Sequence, residues 1–144
     1  MRSIFVVMII NLCFFSSSSF ARNDINNYSI KQALNSSAAT GKLNDIQLFF
    51  GEQPHSKVLQ KKGITKVNKK TNAFNKSDEK ACEWVFLSAI IALQKNAQKN
   101  GANAIINIKS NYQNNLTSNN ETFKCGAGTF VAGVALTGEL VTIK

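Results

Sequence analysis

The chain has 144 residues, 44% of them hydrophobic, which is enough for one domain with a sizeable core and too little for several. Seventeen Lys and Arg against eight Asp and Glu leave a formal net charge of +9, a balance that favours anionic partners. A single histidine leaves little material for a Ser-His-Asp or Cys-His centre, or for a histidine-built metal site.

Arg2, the apolar run from Ile4 to Phe15 and Ser19-Phe20-Ala21 form a positive n-region, an h-region and a small-x-small cleavage motif. Residues 1–21 therefore read as a secretory signal peptide cut before Arg22. The apolar run is short for a bilayer span. Leu12 stands ahead of Cys13 where a lipoprotein signal needs a small residue, so lipidation is not expected. Cleavage would remove Cys13 and leave Cys82 and Cys125, and two cysteines in an exported chain most often pair.

Residues 22–42 are polar, and within them Tyr28 to Leu34 (YSIKQAL) reads as a short helix. From Leu43 to Phe50, LNDIQLFF has the composition of a first strand, closed by Gly51; the loop after it holds Pro54 and His55. Ile64 to Lys70 alternates weakly, as a half-solvated second strand would. Lysines concentrate here: Lys57, Lys61, Lys62, Lys66, Lys69, Lys70 and Lys76 form a candidate patch for an anionic partner such as lipopolysaccharide or anionic lipid. Nucleic acid fits less well. The run has no arginine for bidentate base contacts and only Phe74 for stacking.

The clearest stretch is Ser77 to Tyr112. Ser77 is a good N-cap, Asp78 and Glu79 suit the positive end of a helix dipole, and Gly101 suits the left-handed C′ position. Cys82, Phe86, Ala89, Ile90, Leu93 and Ala97 recur at helical spacing, which predicts one long helix over about 77–100. Trp84, Leu87 and Ile91 make a second stripe and hence a candidate interface. Its covers would be the segment around Tyr28, Ile30 and Leu34, or another subunit of a homo-oligomer.

After Gly101 the period changes to two: Ala104, Ile106, Ile108 and Tyr112 alternate with polar residues. A helix from Cys82 rises roughly 28 Å to Gly101. A strand to Tyr112 returns about 26 Å. QNNLTSNNET (113–122) then reads as a hairpin loop, which puts Cys125 beside Cys82 and makes a disulfide plausible on geometry alone. In the last stretch, Thr122 to Ile143, both strand faces are apolar, and Gly126, Gly128 and Gly133 suggest bulges or a close approach.

No GxxxxGK[ST], HExxH or GxSxG occurs, and the carboxylates are scattered, so no catalytic residue, metal ligand or cofactor site is expected.

The blocks TNAF (71–74), CEW (82–84), GANAIINI (101–108) and CGAG (125–128) keep the order found in a family of small exported proteobacterial proteins often labelled "excinuclease ATPase subunit", which the chain resembles over roughly 43–144. That label implies nucleotide chemistry, which needs the Walker motif this chain lacks. More distantly, the helix followed by GANAI and a strand is similar to YbjQ-type proteins and to the Rcs envelope-stress lipoprotein sensor. Both are small α+β folds with a helix on a sheet. They imply, respectively, a ring-forming oligomer with a metal-binding role and a sensor.

The resulting expectation has three parts. Residues 43–144 form one α+β domain, a mainly antiparallel sheet of about four strands with the 77–100 helix on one face. The protein is exported and periplasmic or secreted. It acts as a non-catalytic binding, structural or sensor module of the cell envelope, with a nucleic-acid enzyme or a secreted binder of anionic surfaces as the alternatives.

Overall fold

The computed structural model describes residues 21–144, so all of the expected signal peptide except Ala21, and Cys13 with it, lies outside the described residues. Seven strands and two helices follow in the order β1 (Asp24–Ser29), α1 (Ile30–Leu34), β2 (Gln47–Phe50), β3 (Val58–Asn72), α2 (Asp78–Lys99), β4 (Ala104–Tyr112), β5 (Asn115–Thr117), β6 (Thr122–Ala127) and β7 (Val131–Ile143).

The sheet is mixed and has seven strands, which corrects the expected sheet of about four. β2 lies parallel to β4, and the other pairings are antiparallel. Three strands account for most of the difference. β1 comes from the polar segment and pairs along its whole length with β6. It is almost entirely exposed and carries no alternating apolar signal. β3 runs over fifteen residues rather than seven; irregularities between Val58 and Gln60 and between Lys61 and Gly63 break its period. β5 lies inside the supposed 113–122 loop. Gln113 (φ 52) and Asn114 (φ 62) both take the left-handed conformation, and a two-residue reversal returns the chain at once against β4.

β7 is the spine. Along one edge it pairs with β3 from Asn72 to Val58, and along the other with β6 at its start and β4 over its second half. Its residues alternate between two environments. Ala132, Val134, Leu136 and Leu140 belong to the main core beneath α2. Val141 and Ile143 join Ala104 and Ile106 in a smaller core on the opposite face, packed against Phe49 and Val58.

α2 starts where Ser77 accepts a hydrogen bond from the Lys80 amide, and its acidic residues Asp78 and Glu79 occupy the first turn. It buries Cys82, Val85, Phe86, Ala89, Ile90, Leu93 and Ala97 in contact with the sheet. Phe86 stacks on Phe123 at 4.0 Å between centroids, and Phe50 lies on its other side at 6.0 Å. The Cys82–Cys125 disulfide is present, with the two Cα atoms 5.9 Å apart and both residues fully buried, and it ties the first turns of α2 to β6. Near the other end, the buried Gln94 amide accepts from the Asn44 amide and donates to the Asn44 and Ile46 carbonyls. That clamp fixes the segment leading into β2.

Candidate functional site

Strand alternation divides the lysine run. Thr65, Val67 and Lys69 pair with Gly138, Leu136 and Val134 and so share the α2 side of the sheet. Lys61, Ile64, Lys66 and Lys70 pair with Val141, Glu139, Thr137 and Gly133 and lie on the opposite side. Lys62 sits half-buried in the irregularity beside Gly63. Lys57 precedes β3, and Lys76 follows it, with Nζ donating to the Asn72 carbonyl at 3.0 Å. The seven lysines therefore do not form one patch.

A different set does converge. The β4 register shifts between Ile106 and Lys109, and Asn107 takes φ 54. This bulge turns Lys109 to the face that carries Lys66. Both residues flank Thr137, one from each neighbouring strand, so their backbones stand roughly 10 Å apart. Glu139 is the one acidic side chain among the strand positions of this face, and its carboxylate accepts from Asn107 Nδ2 at 3.0 Å. Lys124, on β6, faces the same way, because its neighbours Phe123 and Cys125 both point into the main core.

The β4–β5 hairpin shapes this surface. Tyr112 lies against Gly126 and Gly133, and its hydroxyl donates to Asn23 Oδ1 at 3.2 Å. A Cβ on Gly133 would stand 3.3 Å from the Tyr112 ring, and one on Gly126 would collide with the phenol, so the glycines make room for a side chain rather than for a strand backbone. One side of the hairpin borders a shallow groove of about 280 Å³ lined by Lys66, Asn68, Asn111, Gln113, Asn114 and Ala135. Lys124 borders a second, of about 210 Å³, with Asn27, Thr117 and Thr122. Both offer ammonium groups and amide or hydroxyl donors over a floor of small residues, a composition suited to an oxyanion-bearing ligand. Lysine flanked by neutral amides leaves ligand charge uncompensated by protein carboxylates.

The second α2 stripe does not form one open patch. Leu87 is buried, Ile91 is half-buried, and Trp84 keeps 44% of its surface exposed beneath the Lys42 ammonium, 5.0 Å from its ring. α1 packs beside it, with Gln32 Nε2 donating to Glu79 and Glu83. Arg22 forms a forked pair with Asp78 and also bonds Asp24 and the Gly128 carbonyl. The Arg22 guanidinium holds the Asp78 carboxyl below its usual range, and burial raises the Tyr28 phenol above its own.

Among the described residues no group of three or more His, Cys, Asp or Glu side chains could hold a metal ion. No helix among them is long and apolar enough to cross a membrane. Compared with family models, with curated proteins and with solved structures, the chain matches none.

Lys109 and Lys124 escaped sequence reasoning because each stands alone in an apolar strand. The phase of β4 depends on a bulge with no glycine to mark it, since Asn107 supplies the positive φ.

Proposed function

We propose that the protein is an exported, non-catalytic binding module of the cell envelope, whose helix-free sheet face engages an anionic partner. The observation that carries this reading is the convergence of Lys66 and Lys109 on either side of Thr137, on a face whose one strand carboxylate is engaged with Asn107. The signal-peptide pattern and the buried disulfide support export into an oxidising compartment. The resemblance to small exported proteins points the same way.

The mechanism requires no chemistry beyond charge-assisted hydrogen bonding. Lysine ammonium groups attract the partner and the surrounding amides orient its oxygen atoms. Calorimetry of residues 22–144 with dextran sulfate, a soluble polyanion, tests it. Binding should weaken steeply as salt rises, in keeping with screening of exposed charges. Absence of binding at low salt would reject the proposal.

A further inference from the structure

A second surface lies at the end of the sheet where β3 stops and β7 begins. Phe74, in the loop after β3, stacks on Phe130, in the turn between β6 and β7, with centroids 5.6 Å apart and planes 15° from parallel. The Ala73 amide donates to the Phe130 carbonyl at 2.8 Å, so the two loop tips are fastened together by backbone as well. Yet neither ring enters the core. Phe74 is 52% exposed, Phe130 63% and the adjoining Val131 49%. Three of the eight large exposed apolar residues among the described positions thus share one tip.

The tip is ringed by cations. Lys69 and Lys70 end β3, and Lys76 reaches back to the Asn72 carbonyl, two residues before Phe74. The acids nearest in the chain, Asp24 and Asp78, are both taken up by Arg22. Paired aromatic rings on rigid loops within a cationic collar suit the boundary of a bilayer. There the rings leave water at the level of the acyl chains, while the ammonium groups meet anionic headgroups.

We propose that the Phe74–Phe130 tip docks on an anionic lipid surface, with both rings entering the interfacial layer and Lys69, Lys70 and Lys76 contacting headgroup phosphates. This site is separate from the Lys66–Lys109 face and stands or falls independently of it. A soluble polyanion has no apolar layer for the rings, whereas a bilayer supplies both components.

Vesicle co-sedimentation of residues 22–144 tests the proposal. The protein should bind phosphatidylcholine vesicles containing phosphatidylglycerol and not vesicles of phosphatidylcholine alone. Phe74→Ser/Phe130→Ser should weaken that binding at least about tenfold, because half-exposed rings forfeit most of their transfer energy. Lys70→Gln/Lys76→Gln should weaken it on the order of twentyfold, at about fivefold per charge. Neither pair should change dextran sulfate affinity by as much, which separates failure here from failure of the open-face reading.

A variant that retains the fold supplies a direct readout. With Trp84→Phe as background, Phe130→Trp should shift its emission to the blue on anionic vesicles and be quenched by brominated acyl chains. Unquenched emission, vesicle binding unaffected by the serine pair, or a dimer by light scattering that the serine pair dissolves would each overturn the proposal.

Discussion

Replacing both Cys82 and Cys125 by alanine removes the one covalent tie between α2 and β6. The bridge spans a sequence separation of 43. A loop of that length takes about 4 kcal/mol of conformational freedom from the unfolded chain at 25 °C. Both residues are fully buried beside Phe86 and Phe123, so loss of the sulfur atoms adds about 1 kcal/mol of packing. For a domain of this size about 1 kcal/mol corresponds to roughly 3–4 °C in thermal midpoint. The double variant should therefore melt about 15 °C below the parent by near-ultraviolet circular dichroism, and reductant should lower the parent's midpoint while leaving the variant's unchanged. A difference under about 5 °C would refute the reasoning, because the loop would then be constrained by packing alone. Two free thiols, titrated in unreduced unfolded protein, would refute it outright.

Gly133→Ala and Gly126→Ala should each destabilise by about 1–3 kcal/mol through overpacking against Tyr112, and Tyr112→Ala should relieve most of that in a double-mutant cycle followed by urea unfolding. Gln94→Leu should cost about 1–3 kcal/mol in the same assay, because it strips partners from the Asn44 amide and from the Asn44 and Ile46 carbonyls. Asp78 has its pKa depressed by Arg22, so the pair contributes at pH values above the ordinary carboxylate range and that contribution disappears as pH falls through the lowered value. The thermal midpoint of the parent should accordingly fall more on acidification than that of Asp78→Asn, and parallel curves would contradict the coupling.

Sequence and structure agree best where one signal acts locally. Ser77, the acidic first turn and the spacing from Cys82 to Ala97 are properties of α2 itself, and the disulfide follows from two cysteines that strand and helix lengths bring together. The sheet was misjudged where pairing, rather than composition, makes a strand. DINNYS is a strand because β6 offers it an edge. β3 extends to Val58 because β7 is long enough to hold it, although Lys61, Lys62 and Gly63 interrupt its alternation. The lysine cluster was visible as a run of charge but not as a surface. A period of two sends Lys66 and Lys69 to opposite faces, and a bulge at Asn107 recruits Lys109 from nearly forty residues away.

The central claim is that position, and not net charge, makes this protein an anion-binding module. Two double charge reversals alter net charge equally: Lys66→Glu/Lys109→Glu on the helix-free face, and Lys95→Glu/Lys99→Glu on exposed positions of α2. Affinity for dextran sulfate, measured by calorimetry at one fixed salt concentration, should fall on the order of twentyfold or more for the first pair, at about fivefold for each lysine lost, and far less for the second. Equal losses for the two pairs would contradict the account.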